Sequence, residues 1–545
     1  MQKKQTILVV ASLLVVVLSV TLAYFTAQII GKGKDVSVSS ADLKIVFTDT
    51  DGSISGTNIE PGWSDTKTFT IENKSNETYK YNIVIQDLVN TFVTEGYLQY
   101  KITSTNGGYN MTEFKDVPKS SAPKDTILAY SVSIPVGVTQ SYTIEFKYAN
   151  DESVDQSEDM GKTLSGTLYI EKGTEKPFNG GTLVEAIKYY NPTIQTRTDF
   201  SIVLTDDNTN TLYTSTEDSK TVYYFAGNAK NNWVKFGTFA SDGPVRGYYS
   251  ATISTYKEYT TLEECNSASS YNTNCSYPWR KGDPMYWRII RTNSDESVRL
   301  LYHGTSTTST EAYIGTSKFN SGRDNIAYVS YMYGSLGSIA NARTNQTNSS
   351  TIKTAIDNWY KDYLNTNYGK YISTTAVYCN DRSTSGSNSF GAKTRLDTTN
   401  KTPSYNCATI EDKFTVDKST GNGKLTYPIA LMTADEVVFA GGKVFTDAKT
   451  WYYYNSANGI STGSEYWWLL SPYRWYDSSS LAQVFHMYGS AYPGELTYQD
   501  ANNTYGVRPV LSLKSCTKYS TGNGSPETPY EIVETSSGCL YNKLK

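Results

Sequence analysis

The sequence predicts a multidomain, β-rich exported protein: an N-terminal membrane-spanning or signal helix, then an all-β sandwich, then an α+β domain. Three observations support this. The chain has 545 residues, too many for a single hydrophobic core. It contains 47 Tyr beside long runs of Ser, Thr and Asn; Tyr and Thr favour strands, and Asn and Ser favour turns. It also opens on an apolar stretch that follows Lys3 and Lys4. Charge excludes one class of function. The formal net charge is -4, 19% of residues are charged, and no strong basic run occurs, so a phosphate-tracking nucleic-acid surface is not expected.

The uncharged run from Thr6 to Ile30 is long enough to span a hydrocarbon core of roughly 30 Å. It reads either as an uncleaved signal anchor or as a signal peptide with a small-residue site near Ala23 or Ala27. Both assign residues 1–34 to export and place the rest outside the cell, with membrane contact through the helix if it stays uncleaved. The cysteines agree. Six occur, at Cys265, Cys275, Cys379, Cys407, Cys516 and Cys539, with no Cys-x-x-Cys pair and only His303 and His486 as histidines. A zinc cluster is therefore not expected. Pairing of nearest neighbours (Cys265–Cys275, Cys379–Cys407, Cys516–Cys539) closes the shortest loops and is the expected set in an oxidising exterior.

Residues 35–172 show period-two patterning. Phe69 and Ile71 alternate with threonines; Tyr79, Tyr81, Ile83 and Ile85 alternate with Lys80, Asn82 and Gln86; Tyr142, Ile144, Phe146 and Tyr148 repeat the pattern. Such strands put one face in a core and one in water, as a sandwich requires. Turns are expected at Asp51-Gly52, Pro61-Gly62 and Gly107-Gly108. Residues 173–200 form a linker with a short helical pattern, Leu183 to Tyr190, that suits docking or spacing equally. Residues 201–515 form the α+β domain. Tyr286 to Arg291 and Val298 to Tyr302 predict a hairpin. Ile352, Ala355, Ile356, Trp359, Tyr360, Tyr363 and Leu364 form one apolar helical stripe, its aromatics core. Thr433 and Glu436 form a capping box, and that helix stops near Gly441-Gly442. Residues 516–545 are a disulfide-pinned tail.

Two resemblances follow from short motifs. The segment Ala23-Tyr24-Phe25-Thr26-Ala27, then Glu60-Pro61-Gly62-Trp63 and a strand ending in Asn73, resembles the biofilm-matrix fibre and camelysin-like family of Firmicutes over roughly residues 10–172. This resemblance implies possible self-assembly by strand exchange. The metalloprotease activity described for some relatives does not carry over, because the chain has no His-Glu-x-x-His helix and no histidine before His303. Between Tyr427 and Leu513, the Thr433–Glu436 helix start, Trp467-Trp468-Leu469-Leu470-Ser471-Pro472 and Gly506-Val507-Arg508 resemble the formylglycine-generating-enzyme and C-type-lectin-like fold. The resemblance implies a C-type-lectin-like scaffold. No cysteine lies between Cys407 and Cys516, and no Glu-Pro-Asn, Gln-Pro-Asp or Trp-Asn-Asp motif occurs. Neither formylglycine chemistry nor calcium-dependent sugar binding is therefore implied.

The candidate binding residues are Tyr473, Arg474, Trp475, Tyr476 and Asp477, since Arg and aromatic side chains dominate interface energetics. The competing reading is an ordinary loop with Trp475 tucked into the core. His486, Tyr488, Tyr492 and Tyr498 follow around Gly489 and could share that face. Strand alternation leaves either His486 and Tyr488, or Phe485 and Met487, pointing inward. One of Trp467 and Trp468 is expected in the core, and Arg508 is expected to anchor structure through a buried carboxylate. Asp206, Asn208, Asn210, Thr214 and Glu217 match a calcium-loop spacing, but Thr211 replaces its glycine and a polar turn explains them as well. No metal or cofactor is assigned.

The expectation is a cell-surface recognition or adhesion protein that binds a glycan or a surface protein through an aromatic-rich face and performs no catalysis. The alternatives are a matrix fibre assembled through the sandwich, and a carboxylate-based hydrolase, for which no paired-carboxylate motif speaks.

Overall fold

The computed structural model describes residues 36–539 apart from 41–42, 50–52, 56–58, 203, 205–209, 250–255, 269–271, 310–311, 386–387, 398–400, 448–465, 489–494 and 537. The export segment at residues 1–34 and the Asp51-Gly52 turn therefore lie outside the described residues. Among the described residues, no helix is long and apolar enough to cross a membrane. The structure is mostly β-sheet with few helices, and it divides into two compact units, residues 1–176 and 177–545.

In the first unit, alternating residues become strands. Ser64–Asn73 and Thr139–Tyr148 run antiparallel with Phe69 opposite Tyr142, their rings stacked at 4.8 Å. Their inward residues join Ile83, Ile85 and Ile102 in one core, built by a six-stranded and a four-stranded sheet. Gly62 makes the Pro61-Gly62 turn at φ +94°, a conformation glycine adopts without steric cost. Asn82 departs from the alternation, because it is fully buried. Its amide donates to Glu171 Oε1 and Thr174 Oγ1, and its oxygen accepts from the N–H groups of Ser131 and Thr174, all at 2.8–3.0 Å. A buried amide satisfied on every side carries no desolvation penalty, and here it pins the chain as it leaves the Leu164–Lys172 strand.

In the second unit, the expected hairpin forms from Pro284–Thr292 and Val298–Gly304. Pro509–Leu513 pairs with the latter strand, and Ile429–Leu431 pairs beyond it. Every residue of Val298–Gly304 is buried, which marks a strand covered on both faces. The apolar stripe becomes the Thr351–Tyr360 helix, capped by Ser350 and continued by a π turn at Lys361–Asn365. It buries Ile352, Ile356, Trp359, Tyr360 and Leu364, so its aromatics are core. The Ala434–Ala440 helix starts on the Thr433–Glu436 capping box and ends at Gly441, φ +115°. The segment expected to link the domains is instead part of this unit: Leu183–Tyr190 has its own capping box and buries Leu183, Ala186 and Ile187 in this unit's core. In the C-terminal segment, pinned by the Cys516–Cys539 disulfide, Tyr519–Thr521 and Tyr530–Ile532 are strands of the ten-stranded sheet.

Disulfides join Cys265 to Cys275, Cys379 to Cys407, and Cys516 to Cys539. A polar network crosses the same unit. Arg291 reaches Glu217 at 2.8 Å and Glu436 at 2.9 Å, and Arg299 reaches the same Glu436 oxygen at 2.5 Å. All four side chains are buried. Burial alone would push Glu436 up, but Arg299 and Arg291 outweigh it and hold the carboxyl down at about 2.

Candidate functional site

The spine of the candidate site is the Trp467–Tyr476 strand, paired along its length with Leu481–Met487. It also meets Thr504–Val507 at Gly506 and Ser389–Phe390 at Ser389. Trp467 and Trp468 are both buried. Strand alternation does not separate wet from dry where a sheet is covered on both faces. The Trp468 indole N–H donates to the Ser317 carbonyl at 2.9 Å. Arg508 lies 4.9 Å over the Trp467 ring and donates to the Tyr302 carbonyl at 3.1 and 3.3 Å. Arg508 thus anchors structure through a backbone carbonyl and an indole face.

Register shifts on both sides of Pro472. Proline has no N–H to give the ladder, so it sits at irregularities, and a bulge re-aims the side chains that follow. Tyr473 is turned inward, 3% exposed, and stacks on Tyr498 at 4.0 Å. Its hydroxyl donates to Asp397 Oδ2 at 3.4 Å, and burial raises the phenol's pKa. Arg474 and Trp475 are half-buried, Tyr476 is 40% exposed and Asp477 is exposed. Trp475 shares in both earlier readings: it packs against the core, yet part of its surface is open. Tyr473, expected on the candidate binding face, is buried instead.

His486 is also withdrawn from that face. It is 2% exposed, within 6.0 Å of the Tyr466, Trp468, Tyr488 and Tyr505 rings. Burial lowers its pKa to about 4, and its Nδ1 lies 3.0 Å from the Met487 carbonyl. Phe485 and Met487 are buried as well. The choice between the two inward pairs does not arise, because every residue from Ala482 to Met487 is buried, so both faces of this strand are covered. Tyr488 is half-buried against Tyr466 at 5.0 Å. Tyr492 lies outside the described residues.

What the strands bring together is an arginine framed by rings. The Arg474 guanidinium lies 4.7 Å over Tyr476, 4.9 Å over Tyr498 and 5.6 Å over Tyr473. Its Nε donates to Gln483 Oε1 at 2.7 Å and its Nη2 to the Tyr498 hydroxyl at 3.3 Å. Gln483 in turn donates to Asp500 at 2.9 Å, and Asp500 pairs with Arg323 at 2.6 Å. Lys393 sits 5.2 Å over Tyr473 and pairs with Asp397 at 3.2 Å.

Sequence reasoning missed Phe445. This residue is 46% exposed, holds φ +53°, and meets the Tyr473 and Tyr498 rings edge-on at 6.4 and 6.0 Å. A left-handed backbone costs a bulky residue about 1–3 kcal/mol, and such strain has no signature in a sequence. Gln483 and Tyr498 follow from the pairing of neighbouring strands once their register is known.

The calcium spacing finds no support here. Asp206 and Asn208 lie outside the described residues. Glu217, its closing ligand, accepts instead from Arg291 at 2.8 Å and from the Ser294 N–H at 2.6 Å. Among the described residues, no group of three His, Cys, Asp or Glu side chains is placed to hold a metal ion.

No family model matches this chain, and no curated protein matches it. Among solved structures it has slight similarity to a chaperone–tip adhesin complex of CFA/I fimbriae biogenesis, 12% identical with a TM-score of 0.08, covering 44% of this chain and 90% of that one. The class 5 fimbriae chaperone CfaA is 13% identical with a TM-score of 0.08, covering 46% and 91%. At that TM-score neither similarity bears on fold or function.

Proposed function

We propose that this chain is an exported cell-surface recognition or adhesion protein that holds a glycan or a surface protein at the face formed by Arg474, Trp475 and Tyr476, and leaves that partner chemically intact. In this reading the first unit is a sandwich stalk and the second a C-type-lectin-like scaffold. One observation carries it: Arg474, Trp475 and Tyr476 reach solvent from a strand whose other residues, Trp467 to Tyr473, are buried. Side chains held on such a rigid element lose little entropy on binding. The three disulfides support an oxidising exterior.

The test is a glycan-array and cell-adhesion screen of the full chain beside Tyr476→Ala and Trp475→Ala. Tyr476→Ala is expected to lose at least ten-fold in binding with an unchanged melting temperature. Trp475→Ala is expected to lose binding together with some stability, because its indole is partly core. Unchanged binding in Tyr476→Ala would sink the assignment.

Assembly through the first unit is a second reading, favoured by one feature. Among the described residues, Val36–Ser40 ends the six-stranded sheet and pairs only with Leu43–Asp49, and such an edge offers hydrogen bonds to another strand. Concentration-dependent filaments seen by electron microscopy would support it; a chain that stays monomeric at high concentration would dismiss it.

A further inference from the structure

We infer that the partner of this face is a saccharide bearing an oxyanion, a carboxylate or sulfate on the sugar, and that Arg474 receives that group. The inference rests on the recognition reading above and narrows it.

Several arginines of this unit are neutralised by carboxylates. Arg291, Arg299, Arg343, Arg382 and Arg395 each have a carboxylate at 2.5–2.8 Å. Arg474 differs. Among the described residues it forms no ion pair, and its two hydrogen bonds go to neutral groups, Gln483 and Tyr498. The nearby carboxylate of Asp500 is separated from it by the Gln483 amide and is already paired with Arg323. The guanidinium is therefore oriented by its Nε and Nη2, has no carboxylate paired with it among the described residues, and is half-open to solvent. An oriented guanidinium with unused N–H groups is the donor that planar oxyanions fit.

The second observation is aromatic. Two exposed rings border the same Tyr473–Tyr498 stack. Tyr476 lies under Arg474, and Phe445 is held outward by a left-handed backbone. Tyr476 thus exposes ring surface beside the cation, and Phe445 exposes a second ring against the same stack. A sugar ring offers C–H groups to such surfaces while its acidic substituent reaches the guanidinium. An acidic peptide would satisfy the charge but make no comparable use of the rings.

The experiment measures binding of the full chain to polygalacturonate, dextran sulfate, neutral dextran and poly-glutamate, at low and high salt. Wild type is expected to bind polygalacturonate or dextran sulfate and to weaken at least ten-fold in 0.5 M salt, as a charge contact at a partly exposed site requires. Arg474→Gln is expected to lose at least ten-fold at an unchanged melting temperature, and Arg474→Lys to recover part of it. The carboxylate and sulfate polymers distinguish the two sources of the oxyanion. Binding of dextran as tight as that of the acidic polymers, insensitivity to salt, or no binding to either acidic polymer would overturn the inference. In the dextran case the recognition reading survives, because Tyr476→Ala still abolishes binding. Poly-glutamate binding that is equally tight and indifferent to Tyr476→Ala would replace the saccharide by an acidic peptide.

Discussion

Replacing Glu436 by Gln tests the polar interior of the second unit most directly. The wild-type carboxylate accepts hydrogen bonds from Arg291 and Arg299, while its other oxygen accepts the Thr433 N–H at 3.0 Å. The amide has nearly the same shape and preserves the cap, but two buried guanidinium groups are left to share Glu217. Removing one member of a buried ion network costs about 3–5 kcal/mol. The acid–base behaviour agrees: a carboxyl whose ordinary pKa is 4.5 is held at about 2, which corresponds to roughly 3 kcal/mol. Unfolding entropy is about 2.1 cal/mol/K per residue, so a unit of about 370 residues should melt about 4–6 °C lower. Because the folded pKa is depressed, the contribution is fully present above pH 4.5 and is lost as pH falls toward 2. Calorimetry of wild type and Glu436→Gln at pH 7 and at steps down to pH 2.5 checks both parts. A variant that melts within 1 °C of wild type at pH 7, or that shows the same acid sensitivity below pH 4.5, refutes the reasoning.

The other predictions concern separate features. His486, with its pKa lowered from 6.5 to about 4 by burial, must stay neutral in the folded protein. Stability should fall by roughly 3 kcal/mol as pH drops from 6.5 to 4, and His486→Gln should remove that component from melting curves. Replacing Cys379 and Cys407 together by Ser opens a loop spanning 28 residues and should cost about 3–4 kcal/mol by the chain-entropy estimate, read by urea unfolding of the oxidised variant. Phe445→Gly relieves a left-handed backbone worth about 1 kcal/mol or more; its melting temperature should equal or exceed that of wild type even as binding weakens, and a marked drop would mean the ring is structural.

Legibility in the sequence followed locality. The Pro284–Thr292 and Val298–Gly304 hairpin, the Thr351–Tyr360 stripe and the Thr433 capping box are written in residues a few positions apart, where period and turn chemistry decide the outcome. The cysteine pairs are also near neighbours in the chain, and closing short loops needs little reach. Tyr473 and His486 were misplaced for a non-local reason. Their strands are covered on both faces, so polar and aromatic residues at either phase are buried, and alternation no longer reports exposure. Asn82 fails in the same way, its wet phase being taken over by Glu171 and Thr174, some ninety residues on. Arg474 and Tyr476 were legible as types but not as a geometry. Their arrangement depends on the bulge at Pro472 and on Gln483 and Tyr498 from two other strands.

The contrast between Arg291 and Arg474 supports the placing of the proposed binding face at Arg474. A fully buried guanidinium without a counter-charge would be prohibitively costly, so Arg291 and Arg299 oblige the fold to supply Glu217 and Glu436 from distant strands and a helix start. Arg474 sits where burial is partial, so water can compensate its charge in the free protein and no carboxylate is needed. An aromatic frame fixes its direction without cancelling its field. Displacing that water with an oxyanion strengthens the interaction as the local dielectric falls, so the charge that contributes little to folding becomes available for binding.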